Sequence, residues 1–190
     1  KAGTLDLDDF SLTPSDAEPV LAQQREREAA AEKTRVPREE PNKDKWPKPI
    51  HVVGNKVLDS ADKEVWLQGL NIPSLEWSVG GEQVLKSTIV AIEEWKSNVI
   101  RIPVKEEYWF GRTGQTDGGA SYRDVVDQMI TLAANRGAYV VLDLHRYRAP
   151  KPEFLEFWKD AAAKYKDHPA LIFDLMNEPH GIDWETWRNG

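Results

Sequence analysis

The sequence predicts an α/β protein built on a parallel sheet, either doubly wound or forming half of an eight-stranded barrel. Three observations predict it. From Ile50 onward, strand-like and helix-like segments alternate along the chain. The strand segments are nearly continuous apolar runs, the pattern of a sheet covered on both faces. Each strand also ends in polar or charged residues: Asn71, Arg101, Asp143 with His145, and Asn177 with Glu178. Polar groups at the carboxyl ends of successive parallel strands converge on one face, where active sites sit.

The elements follow in order. His51 to Leu58 carries Gly54-Asn55 between two short apolar pairs, a hairpin signal. Val65 to Leu70 reads as the first strand of the sheet. Gln83 to Lys96 reads as a helix with Leu85, Ile89, Ile92 and Trp95 on one side. Asn98 to Val104 is the second strand. Tyr122 to Arg136 is a helix opened by the capping pattern Ser121-x-x-Asp124 and closed by Gly137. Ala138 to Leu144 is the third strand. Glu153 to Lys166 is a helix with Phe154, Trp158, Ala161 and Tyr165 on one face, and Leu171 to Met176 is the fourth strand. No Gly-x-Gly-x-x-Gly follows the first strand and no phosphate loop occurs, which argues against a nucleotide-binding sheet.

Upstream of this domain the composition changes. Between Arg25 and Lys45, 13 of 21 residues are charged, seven basic and six acidic, and six prolines from Pro14 to Pro49 punctuate the region. Residues 14–49 therefore read as a charged, Pro-rich linker. Gln23 to Lys33 within it could form a solvated helix with no apolar face to bury. Residues 1–13 contain Leu5, Leu7, Phe10 and Leu12, a strand-like alternation with one slip. This stretch resembles the last strand of jelly-roll carbohydrate-binding modules. The first residue is Lys1 and the last is Gly190, so both ends read as cuts in a longer protein with no signal peptide in this stretch.

Composition narrows the chemistry. The formal charge of −7, from 25 basic and 32 acidic residues, argues against nucleic acid as partner. No apolar run approaches the ~20 residues that span a membrane. There are no cysteines, and His51, His145, His168 and His180 show no metal-ligand spacing, so neither a metal nor another cofactor is expected. Eight tryptophans are many for this length. Trp46, Trp77, Trp109, Trp184 and Trp187 fall in predicted loops or near turns. There they serve either packing or the stacking of sugar rings.

The sharpest feature is Leu171-Ile-Phe-Asp-Leu-Met-Asn-Glu-Pro-His180, an apolar run that stops at Asn177-Glu178-Pro179. With Leu67-Gln-Gly-Leu-Asn71, Asn98-Val-Ile-Arg-Ile-Pro-Val104, Leu142-Asp-Leu-His145 and Phe157-Trp158, it makes residues 50–190 resemble the first half of glycoside hydrolase family 5, the cellulase family A enzymes. That resemblance implies a (β/α)8 TIM barrel truncated after about the fourth strand. It implies a retaining hydrolase of β-linked polysaccharide, an endo-β-1,4-glucanase as the commonest case, working on polysaccharide or oligosaccharide outside the cell or in the periplasm.

The resemblance also implies roles. Glu178 is the general acid and then the general base. Asn177 hydrogen-bonds the sugar 2-hydroxyl, Arg101 orients and supports the nucleophile, and His145 binds the sugar just before the cleavage point. Trp77 and Trp109 lie in loops placed to line the groove. The chemistry asks for such groups. Breaking a glycosidic bond expels a poor alkoxide, so a positioned carboxylic acid must protonate it. In retaining enzymes a second carboxylate ~5–5.5 Å away attacks the anomeric carbon. In this family that nucleophile comes from a later strand, beyond Gly190. Glu185 is too close behind Glu178 to be that residue, and Asp143 and Asp174 stand in the wrong motif context. The 190-residue piece is therefore expected to lack turnover alone and to leave open sheet edges. The alternative is a carbohydrate-binding protein that uses the same groove without chemistry.

Overall fold

The computed structural model describes residues 18–33 and 35–189 and divides the chain into two compact units, residues 1–35 and 36–190. The strand expected within residues 1–13 lies outside the described residues. Among the described residues of the first unit, the helix α1 (Glu18–Lys33) begins five residues before the expected one. Its residues 18–26 are exposed, and Arg25 pairs with Glu18 at 3.0 Å.

The second unit begins at Val36, upstream of the boundary that composition suggests. Residues 36–49, read from composition as tether, lie against the barrel side. Arg38 Nη1 donates to both carboxylate oxygens of Asp124, at 2.7 and 2.9 Å. The Asn135 side chain accepts from the Asn42 amide and the Trp46 indole, and it donates to Glu39 and to the Glu40 carbonyl. Trp46 stacks on His168 with ring centroids 4.2 Å apart. A charge run reads as solvated when its partners lie about 90 residues away in sequence, as Asp124, Asn135 and Arg136 do here.

A hairpin of β1 (Ile50–Val53) and β2 (Lys56–Asp59) follows, paired in the register Ile50↔Asp59 to Val53↔Lys56 around the Gly54-Asn55 turn. The main sheet contains β3 (Gly69–Asn71), β4 (Val99–Val104), β5 (Tyr139–Leu144) and β6 (Leu171–Asp174), all parallel and lying side by side in chain order. Gly69 is required by the pairing, because a Cβ there would sit 1.7 Å from the carbonyl oxygen of Val99. Helices connect the strands: α2 (Val84–Glu93), the short α3 (Glu106–Trp109) with α4 (Ala120–Ala134), and α5 (Pro152–Tyr165). A further helix, α6 (Trp184–Asn189), carries Trp184 and Trp187, where the sequence predicts loops or turns. No helix among the described residues is long and apolar enough to cross a membrane.

Strand alternation sorts the side chains. Ile100, Ile102, Val104, Val140, Leu142 and Leu144 are fully buried on the side that meets the helices, with Val126, Met129 and Phe157. Two helix details differ from expectation. The N-terminus of α4 is capped by Asp117, whose carboxylate accepts the amides of Gly119 and Ser121, so Ser121 lies inside the helix. The C-terminus of α4 closes as expected. Gly137, at φ 73°, lets its own amide reach Ala134 O and the Ala138 amide reach Ala133 O. On α2 the buried residues are Val84, Thr88, Ala91 and Ile92, whereas Trp95 is 70% exposed. This helix stands at the β3 edge of the sheet, where Leu70, Val90 and Trp95 line an apolar groove with no covering element among the described residues.

Candidate active site

The other side of the sheet carries the site. Register places Asn71 beside Arg101, Pro103 beside Asp143, and Asp143 beside Asp174. A side-chain period of two therefore points Arg101, Asp143 and Asp174 away from the helix-facing core. Arg101 gathers the group. Its Nη2 lies 2.9 Å from Asp143 Oδ2 and 3.1 Å from Asp174 Oδ2, and it donates to Asn177 Oδ1 at 3.0 Å. Its Nε adds a 3.2 Å bond to Asp174, and Nη1 reaches Asn71 Oδ1 at 3.3 Å. A planar guanidinium offers five donors in a fixed fork, and four neighbouring side chains use it here.

Asp143 is the buried member. Its side chain has no exposed surface, and burial pushes its carboxyl from an ordinary 3.8 up to about 6. The His145 hydrogen bond and the Arg101 charge pull the other way, and the Asp174 charge adds to the rise. The Oδ2 of Asp143 also meets His145 Nδ1 at 2.7 Å, while its Oδ1 is buried without a hydrogen-bond partner. Asn177 is held through its oxygen by Arg101 and through its own amide by Leu144 O at 3.0 Å, which leaves a buried, unpartnered Nδ2 donor.

Glu178 follows at the mouth, exposed, with φ at 41°. That is rare for a residue with a Cβ, and rarer before proline, which favours extended backbone in its predecessor. Such a conformation costs on the order of 1–3 kcal/mol and persists where neighbours over-determine it. Those neighbours are visible. Pro179 bridges Arg148 in parallel fashion, the His180 amide donates to Arg148 O, and the Trp158 indole donates to Leu175 O just upstream. The loop after β5 and the turn after β6 are thus stitched together at the carboxyl ends of their strands.

Of the residues expected from the sequence, Arg101, His145 and Asn177 share one network, and Glu178 follows Asn177 directly. Trp77 lies in the loop after β3 and is 57% exposed, with its carbonyl accepting from Tyr108. Trp109 does not line a groove. It is fully buried, packs edge-on to Phe157 and Tyr165, and donates its indole N–H to Asp160 at 2.7 Å. A short helix rather than a loop carries it, and that helix turns the ring inward. Sequence reasoning counted Asp143 among the polar strand ends but gave neither it nor Asp174 a role in the site. Counting by twos from Arg101 along paired strands would have found both. It also passed over Tyr147, whose hydroxyl lies 2.9 Å from His145 Nε2.

A family model described as cellulase, glycosyl hydrolase family 5, matches residues 58–190. The chain belongs to glycosyl hydrolase family 5. Within that family it is 30% identical over 169 residues to an endoglucanase of Paenibacillus polymyxa, covering 72% of this chain and 41% of that protein. It is 25% identical to endoglucanase MaCel5A of Microbulbifer sp. (strain ALW1), covering 72% of this chain and 27% of that one. Among solved structures, the β-glucanase SdGluc5_26A of Saccharophagus degradans superposes with a TM-score of 0.60 at 21% identity, covering 80% of this family 5 chain and 52% of that one. The catalytic domain of Thermobifida fusca endoglucanase Cel5A gives 0.54 at 22%, covering 72% and 45%. The chain thus spans less than half the length of these curated relatives and about half of the barrels it superposes on. Its four parallel strands and their helices are part of a (β/α)8 barrel.

Proposed function

We propose that this chain forms the acid/base side of a retaining endo-β-1,4-glucanase, with Glu178 as the group that first protonates the leaving oxygen and then activates water. The observation that carries the reading is the junction after β6. Arg101 fixes Asn177 by its oxygen, and exposed Glu178 follows directly at a positive φ of 41°. Asn177 Nδ2, a buried donor with no protein partner, is then free for the sugar 2-hydroxyl. His145 contacts the sugar next to the cleavage point, and exposed Trp77 offers a ring face along the groove.

Relatives named endoglucanase support a glucan substrate, and the β-glucanase and Cel5A structures with cellotetraose bound support a β-1,4 linkage. A polymer of that kind is met outside the cytoplasm, so the protein works secreted, at the cell surface or in the periplasm. The nucleophile is supplied by a later strand, and residues 1–13 with 14–49 are the end of a carbohydrate-binding module and its connection to the barrel. The test pairs two measurements on the 190-residue chain: binding of cellotetraose, and reducing ends released from carboxymethyl cellulose. Binding is expected, with no release above that of Glu178→Gln. Release clearly above that control means that a carboxylate within this chain already serves as nucleophile.

A further inference from the structure

His145, just after β5, holds its two ring nitrogens in opposite settings. Nδ1 lies 2.7 Å from Oδ2 of Asp143, a buried oxygen also held by Arg101 at 2.9 Å. Above about pH 6 the Asp143 carboxyl is ionised and only accepts, so Nδ1 donates, and in the neutral imidazole Nε2 is left as an acceptor. Nε2 lies on the far side of the ring, 2.9 Å from the Tyr147 hydroxyl. The Tyr147 ring stands edge-on to the imidazole, centroids 5.4 Å apart, and is 47% exposed.

An imidazole nitrogen of this kind has one in-plane lone pair, and Tyr147 uses it. A sugar hydroxyl that donates to the same nitrogen must take its place. We propose that Tyr147 is a stand-in for substrate: its hydroxyl holds Nε2 of His145 and yields that lone pair to a hydroxyl of an entering β-glucan. The inference rests on His145 being a sugar contact in the function proposed above. The local backbone suits an exchange by side-chain rotation alone. Arg148, next in sequence, is pinned by the His180 amide to its carbonyl and by its bridge to Pro179, so the loop stays while the phenol turns outward. A half-exposed phenol that lets go is rehydrated at once, so the exchange costs little.

The test is a magnetic resonance titration of the chain, isotope-labelled at the histidine ring nitrogens, with cellotetraose. Nδ1 is expected to carry the proton and Nε2 to be bare. Tyr147→Phe should move the Nε2 signal while leaving Nδ1 in place. It should also tighten cellotetraose binding by about two- to fivefold, because one neutral hydrogen bond no longer has to be displaced. Unchanged or weaker binding by Tyr147→Phe overturns the proposal, as does a proton found on Nε2. His145→Ala separates the two levels of the argument. If it leaves binding intact, the sugar-contact reading fails and the stand-in falls with it. If it abolishes binding while Tyr147→Phe brings no tightening, the stand-in alone fails. Tyr147→Phe keeps the ring at a surface position, and matching thermal unfolding of the two proteins verifies that the fold is unchanged.

Discussion

The two sides of the main sheet are made by the same strands, one residue out of step, and they obey different physics. On the helix side, Ile100, Ile102, Val104, Val140, Leu142 and Leu144 are sealed from water. Each such side chain stabilises the fold by about 1.5–3 kcal/mol through burial. On the other side, Arg101, Asp143, Asp174 and Asn177 form a charged network. Buried ion pairs of this kind recover their desolvation cost only partly, so they add little net stability. One side therefore holds the fold and the other is carried by it.

Three changes would break or sharpen that contrast. Trp109→Ala falls on the sealed side and should cost about 3–5 kcal/mol in urea unfolding, from the cavity and the lost Asp160 bond. A loss under ~1 kcal/mol with cellotetraose binding abolished would move Trp109 back to the ligand's side. Next comes pH. Asp143 holds its proton more tightly folded than unfolded, with its carboxyl at about 6 against an ordinary 3.8. Its contribution to stability is therefore fullest below the ordinary value and is lost as pH rises through about 6, a change of up to about 3 kcal/mol. The carboxyls held below their usual values, such as Asp117 and Asp183, act in the opposite sense at lower pH. The difference between wild type and Asp143→Asn isolates the one group, and unfolding curves from about pH 4 to pH 7 should show it growing in favour of wild type as pH falls. A flat difference would mean that Asp143 is ionised throughout. The smallest effect on stability belongs to Trp77→Ala, within about 0.5 kcal/mol of wild type as expected of an exposed side chain, yet with weaker cellotetraose binding by titration calorimetry.

The contrast also explains what could be read in the sequence. Strand and helix order was legible because apolar periodicity is local, and the Asn177-Glu178-Pro179 junction was legible because it interrupts such a run. Arg101 was legible as a polar strand-end group, and it engages both Asp143 and Asp174. What stayed hidden depends on groups far apart in sequence. The bonds of residues 36–49 to Asn135 and Asp124 span some 90 positions, and the inward turn of Trp109 is set by Phe157 and Asp160. The exposed Trp95 has the opposite cause, since the groove it lines with Leu70 and Val90 at the sheet's edge has no covering element among the described residues. Tyr147 was hidden for a simpler reason: one aromatic residue two places after a histidine carries no periodic signal.

The sheet's strand order, β3-β4-β5-β6, is also the order of the chain. Every strand pairs with the one made just before it, so each loop to be closed is a single β/α unit and contact order stays low for a parallel sheet. A ribosome adds ~5–20 residues per second, slowly enough for each unit to dock before the next emerges. Assembly can therefore keep pace with synthesis, and when β6 is made its Asp174 and the following Asn177 reach an Arg101 already waiting.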